Sequence, residues 1–373
     1  MSIAPLLVRQ ALSCLLGSVF SVSWAQAASW QGSLSMPATV EHDSNPRLEA
    51  DQSEAVTRTT LTPDYRLERT SGLDVLSVGL GGQIQRSSDQ RILADREDPR
   101  LNLGWQRETE TGAVGSSWRY EESSTLAALD ETGVETSDGT RKKHALSGFW
   151  RTQANARSTL SNTLTYNTVS YDDTTLHDYE DLSLNFDIDY ALTARWVPFT
   201  GFTVSRYIPA DDSGELASTN YKPVAGVRLA LSETWDAELQ AGHDVASSDE
   251  YEGGWQGGAS LNYSGERALL SLGAERTTTT SGEGGFVEVE QLHGTWSYAL
   301  SERSSAGLGA TWRDSKGAQP NLFSQVDAWL SHELSSSWQT RLSVAYKQRS
   351  EDDVADASAS VIGLTFIYSH PDI

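Results

Sequence analysis

The 373-residue sequence predicts an all-β membrane protein. The expected fold is a transmembrane antiparallel up-and-down β-barrel of about 18 strands (roughly 16–18), with short periplasmic turns and longer extracellular loops. Three observations carry this expectation. Apolar and polar residues alternate with period two along nearly the whole chain. Tight turns alternate with long acidic loops. The first residues read as an export signal.

The signal comes first. Arg9 supplies a positive n-region, Ala11 to Val22 is mostly apolar, and Ala25-Gln26-Ala27 matches a small-x-small cleavage pattern. Residues 1–27 are therefore expected to be removed near Ala27, leaving 28–373 as one barrel domain in the Gram-negative outer membrane. A lipobox at Ala11-Leu12-Ser13-Cys14 is the competing reading. It leaves an h-region of only about four residues, below the usual length of about 7–15. Cys14 is the only cysteine. A mature chain without thiols suits an oxidising periplasm.

The strands follow. Leu182, Leu184, Phe186, Ile188, Tyr190 and Leu192 share one face, opposed by Ser183, Asn185, Asp187 and Asp189. Trp235, Ala237, Leu239, Ala241 and Val245 are opposed by Asp236, Glu238, Gln240 and Asp244. The stretches 255–263 and 362–368 repeat the pattern. Successive side chains leave a strand on opposite sides, so this is strand periodicity and not helical. The first strand is expected at about 33–43.

The connections fall into two sets. Thr109-Glu110-Thr111-Gly112, Leu231-Ser232-Glu233-Thr234 and Leu334-Ser335-Ser336-Ser337 are tight, while 126–141, 171–180, 208–219, 246–253, 276–286 and 349–358 are long and acidic. Such asymmetry is the habit of outer-membrane barrels, and an even strand count puts both termini on the short-turn side. A secreted β-sandwich or β-helix also has many short strands. Trp196, Trp235 and Trp338 argue for the barrel, because each sits just after a tight turn, where an aromatic girdle would lie.

Charge narrows function. With 51 acidic against 28 basic residues the net charge is −23, a poor match to nucleic acid. The histidines are scattered, with no HExxH, and neither GxSxG nor a Walker sequence occurs. His42-Asp43-Ser44 holds the residue types of a hydrolytic triad, yet neighbours on an extended chain point apart. No enzyme, cofactor or metal is expected. Asp172-Asp173, Asp249-Glu250-Glu252 and Glu351-Asp352-Asp353 could bridge lipid headgroups through divalent ions, or be plain solvated surface.

A barrel of this size has a lumen too wide for side chains to fill. Arg66, Asp187, Asp189, Arg228, Asp236, Glu238 and Arg341 are the luminal candidates for binding, with Lys347 beside them. Gly79, Gly81, Gly307 and Gly309 are expected to leave room. An infolded gate is expected at 126–141 or 208–219. A one-residue register slip would exchange the faces of any strand. Asp43-Ser44-Asn45-Pro46 reads as a strand exit, since Asp and Asn bond back to the backbone and Pro cannot continue a ladder. Its second reading is a sugar clamp.

Residues 38–48 (Ala-Thr-Val-Glu-His-Asp-Ser-Asn-Pro-Arg-Leu), Leu61-Thr62-Pro63-Asp64-Tyr65, Arg96-Glu97-Asp98-Pro99 and Tyr120-Glu121-Glu122-Ser123-Ser124-Thr125 resemble the EpsL-like outer-membrane barrels of exopolysaccharide-biosynthesis clusters. The resemblance implies a barrel that passes polysaccharide out of the cell, alongside periplasmic export components. Outer-membrane lipids, lipopolysaccharide and the barrel-assembly machinery are the other expected partners. The alternative is a general cation-preferring porin for small solutes. An adhesive barrel ranks last, because the long loops hold few aromatics. Export predicts an open lumen with few infolded loops. A porin predicts a constriction loop and opposed Arg and Asp across the lumen.

Overall fold

The computed structural model describes residues 28–50, 54–126, 138–173, 175–210, 216–247, 253–282, 284–316, 320–351 and 355–370. The expected signal and its cleavage site lie outside them. So do the centres of both expected gates, 127–137 and 211–215.

The described strands form one antiparallel sheet. They are β1 (Ser29–Asp43), β2 (Val56–Leu61), β3 (Asp64–Ser71), β4 (Asp74–Ser87), β5 (Arg96–Thr109), β6 (Gly112–Ser124) and β7 (Thr140–Asn155). Then come β8 (Ser158–Tyr171), β9 (Tyr179–Tyr190), β10 (Trp196–Pro209), β11 (Ser218–Ala230), β12 (Trp235–Ala246) and β13 (Gly254–Ser264). The last six are β14 (Ala268–Thr280), β15 (Phe286–Ser301), β16 (Ser304–Lys316), β17 (Asn321–Ser335), β18 (Trp338–Glu351) and β19 (Ala357–His370). β1 pairs with β19, which closes the ring.

β2 and β3 are one strand of the wall. Ala38 pairs with Leu61 and Ser35 with Asp64, so the register against β1 does not shift between them. The same holds against β4, where Leu61 pairs with Ile84 and Asp64 with Gly81. The interruption is Pro63, which has no N–H to donate. Its neighbours keep the seam closed: Thr62 N donates to Pro37 O at 2.9 Å and Gly82 N to Pro63 O at 3.1 Å. The barrel is thus closed with 18 strands, as the periodicity predicts.

The faces follow parity. Val40, Leu80, Leu103, Leu164, Leu184 and Leu239 point outward and are 42–52% exposed. A soluble monomer rarely leaves so much aliphatic surface in water, whereas lipid is its natural solvent. Closure matters equally, since every backbone polar group in the hydrocarbon needs a partner within the sheet. Short turns gather at one end, including Gly72 in the left-handed region (φ 59°). Leu34 pairs with His370, so both ends of the described barrel lie there.

The aromatic girdle forms beside those turns. Trp235 and Tyr263 have ring centroids 4.8 Å apart, Trp338 and Tyr368 5.2 Å, and Trp296 and Tyr298 6.1 Å. Trp105 Nε1 donates to Asp74 at 3.2 Å. These rings are apolar in body and polar at one edge, which suits the membrane boundary.

Buried apolar residues are few and sit mainly at the long-loop end. One cluster is Leu48, Phe323, Ala357 and Ala359. Another is Val169, Tyr179, Tyr207 and Phe286. The second joins β8–β10 to the start of β15, so the loop before β15 folds over the mouth.

Candidate functional site

The mouth is shaped first by Asp43-Ser44-Asn45-Pro46. The strand exit is local chemistry: Asp43 Oδ1 accepts the Asn45 N–H at 2.9 Å. Ser44 N donates to Ser360 O at 3.1 Å, and Ser44 Oγ accepts Ser360 N–H at 2.8 Å. Asn45 does more than end a strand. Its Nδ2 donates to Glu49 O at 2.9 Å and to Ser358 O at 3.2 Å, and its Oδ1 accepts Glu49 N–H at 3.2 Å. The chain is thereby turned inward, against the inner wall of β19.

The next two residues complete the infolding. Arg47 Nε donates to Ile92 O at 2.6 Å, which ties this segment to the 88–95 loop. Leu48 is 6% exposed and packs against Phe323, Ala357 and Ala359 on the inner wall. It adopts a left-handed backbone (φ 49°), a strained conformation for a branched side chain. Residues 44–50 are therefore an infolded segment of this mouth among the described residues; the centres of the stretches expected from loop length, 126–141 and 208–219, lie outside them.

Neighbouring loops lock onto one another. Arg96, on the inner face of β5, binds Asp98 through two hydrogen bonds of 3.0 and 3.1 Å, with Asp138 at 3.9 Å. Arg96 Nη1 also donates to Gly139 O at 2.9 Å. Ala94 N donates to Asp138 at 2.9 Å, and His177 N to Gly282 O at 2.7 Å. In the exposed 88–95 loop, the side-chain hydrogen bond from Arg91 holds the Asp89 carboxyl below its ordinary range.

Under the 44–50 segment lies a recess of about 330 Å³. Thr39, Glu41 and Asp43 of β1, Arg58 and Thr60 of β2, and Gln83 and Gln85 of β4 form its floor and sides. Pro46, Leu48, Leu93 and Leu126 roof it, and Lys347 and Ser124 complete it. Arg58 is ion-paired with Glu41. Of these floor residues only those of β1 lie in a stretch that stands out in sequence; Arg58, Thr60, Gln83 and Gln85 do not. Their parity marks them as inward, but nothing local says that a loop closes above them.

Farther down the lumen, the candidates on β9–β12 converge. Arg228 donates to Asp189 at 2.6 Å and to Glu238 at 2.9 Å, and its guanidinium lies 4.4 Å from the centre of the Phe199 ring. Asp187 accepts from Asn185 at 2.8 Å, and Asp236 from Asn262 at 2.9 Å. Farther around the ring, Arg341 stacks on Trp329 at 4.5 Å, and Arg66 bonds Asp64 at 2.9 Å. The candidates thus form two groups on opposing walls, one dominated by carboxylates and one by arginines.

The glycines do not leave open space, contrary to expectation. A Cβ on Gly307 would lie 2.5 Å from the Trp329 ring, and one on Gly309 would lie 2.4 Å from Asp327. On Gly79 it would lie 3.3 Å from Asn102, and on Gly81 2.9 Å from Pro63 O. Neighbouring groups already occupy each place. Inward rings lie flat along the wall because glycine lets them, as Phe199 also does over Gly226.

No family model matches the chain, and no curated relative is found by sequence. Solved structures do match in fold. OpdO of Pseudomonas aeruginosa aligns over 92% of this chain and 97% of its own at TM-score 0.54, with 12% identity. OpdK of the same organism gives TM-score 0.54 over 92% and 98%, with 9% identity. OccAB4 of Acinetobacter baumannii gives 0.53 over 93% and 99%, with 8% identity. These matches lend no support to the exopolysaccharide-cluster family that residues 38–48 resemble. What they establish is the fold, a closed antiparallel β-barrel, which has 18 strands in this chain.

Proposed function

We propose that this protein is a passive outer-membrane channel for small hydrophilic solutes, with a preference for cations. The observation that carries this reading is the 44–50 segment, held inside the mouth by Asn45 and Arg47. Polysaccharide export calls for an open lumen with few infolded loops. Here the mouth is narrowed from two sides, by Leu48 against β17 and β19 and by Phe286, at the start of β15, against Tyr207. A small-solute porin calls for an infolded segment and opposed charges, and the lumen has both. The barrel fold and its lipid-facing aliphatic band support an outer-membrane location.

Reconstitution tests the reading. The purified barrel in planar bilayers should show discrete conductance steps, with a reversal potential in a salt gradient that favours cations. Proteoliposomes should swell in monosaccharides and not in long oligosaccharides. A folded protein without conductance would sink the channel reading. Loss of surface polysaccharide with periplasmic accumulation in a deletion strain would restore export.

A further inference from the structure

We infer that the recess beneath residues 44–50 is a binding site for a neutral mono- or disaccharide, a station on the solute path at the channel mouth. This rests on the channel reading above and adds the class of solute.

Three features of the recess point to a neutral polyol. Its formal charges cancel: Glu41 and Asp43 are set against Arg58 and Lys347. Arg58 is committed to Glu41, and Asp43 already accepts the Asn45 N–H, so an ionic solute competes with partners already in place. An ionic solute would have to break an existing pair and carry its own desolvation cost.

The remaining floor is rich in neutral donors and acceptors. Thr39, Thr60 and Gln83 come from three adjacent strands and point the same way. Hydroxyls and amides both give and take hydrogen bonds, which matches a ring of sugar hydroxyls better than a purely accepting carboxylate. The roof is different in kind. Leu48, Leu93 and Leu126 offer aliphatic surface. A pyranose has this same division, with polar edges and an apolar C–H face. The volume of about 330 Å³ falls at the small end of ligand pockets, which run from about 300 to 1,000 Å³.

The site should bind weakly. Neutral hydrogen bonds exchanged against water contribute little each, and a transported solute must leave as readily as it enters.

The test uses the folded, full-length mature barrel. In planar bilayers, D-glucose and maltose should reduce the ion current with a saturable dependence on concentration. Gluconate and glucosamine, which carry charge, should do so at concentrations at least several-fold higher. Thr60→Val and Gln83→Ala should each raise the half-blocking concentration roughly fivefold. Calorimetric titration of the detergent-solubilised barrel with glucose gives a readout independent of conduction. A conducting barrel with no saturable sugar effect overturns the site and leaves the channel standing. So does a current loss linear in sugar and equal in wild type and both variants, which is bulk viscosity. Glucose binding by calorimetry in a barrel that carries no current would do the reverse.

Discussion

Asn45 and Ser358 are 313 residues apart in sequence, yet the Asn45 side-chain amide donates to the Ser358 carbonyl at 3.2 Å. This bond crosses the seam where the last strand meets the first. Together with the two bonds to Glu49 it sets the direction of the 44–50 segment. Asn45→Ala removes all three. Each such bond contributes about 1 kcal/mol net, so the infolded state should lose roughly 1–3 kcal/mol relative to an outward one. The expected result is a larger single-channel conductance with noisier open-state current, while the barrel stays folded by circular dichroism. Unchanged conductance would show that Leu48 packing alone holds the segment.

Arg228 lies between Asp189 and Glu238 and neutralises part of the acidic wall. Arg228→Met should uncover both carboxylates to water and shift the reversal potential toward stronger cation preference. Asp189→Asn should shift it the other way. Arg341→Met should add to the Arg228 effect, since seven strands of the wall separate β11 from β18 and distant sites add. All three shifts should shrink between 0.1 and 1 M salt, as the screening length falls from about 10 Å to about 3 Å. A selectivity that ignores these substitutions would place the filter elsewhere in the channel.

How much of this was legible in the sequence depends on the range of the interaction. Period two along 182–192 and 235–245 places Asp187, Asp189, Asp236 and Glu238 on the inner wall, because a strand's faces depend only on residue parity. Tight turns such as Glu110-Thr111 are equally local. The Asp43 to Asn45 bond is local too, and the strand exit it makes was readable. The inward fold was not. It depends on Ser358, Ile92 and Phe323, none near in sequence. The inward glycines misled for a related reason: Gly307 is small because Trp329, on the next strand, lies over it. Loop length pointed to 126–141 and 208–219 as gates, and the centres of both lie outside the described residues.

Gly307 and Trp329 make a separable pair. Gly307→Ala puts a methyl carbon 2.5 Å from a fixed ring, so the ring or the strand must shift. Overpacking of this kind costs about 1–3 kcal/mol. The temperature at which the folded, heat-modifiable band disappears on gels should fall. Trp329→Ala should cost less, and the double variant should be no worse than Trp329→Ala alone. Strictly additive losses in that cycle would mean the two residues act independently. Arg341 should report the change as well, because it stacks on the same ring at 4.5 Å.

Arg96 is one of the most enclosed cations at the mouth, with a side chain only 7% exposed. Its planar fork meets Asp98 through two bonds, and its remaining donors reach Gly139 O and Thr140 Oγ1. The base of the β6–β7 loop is thus tied to β5 by one side chain. Removing that side chain leaves Asp98 and Asp138 buried without their cation. Breaking a buried pair in this way costs roughly 3–5 kcal/mol, more than the pair itself contributes. Arg96→Met should therefore loosen the loop base and expose it to external protease on whole cells, with little effect on the lipid-facing girdle at the other end. Arg96→Lys should recover only part of the loss, because an ammonium cannot match the carboxylate with two parallel bonds. Asp98→Asn combined with Arg96→Met should recover more, since it removes a stranded charge along with its partner. If protease resistance survives Arg96→Met unchanged, the loop base is held by the Thr125–Gly139 backbone bond instead.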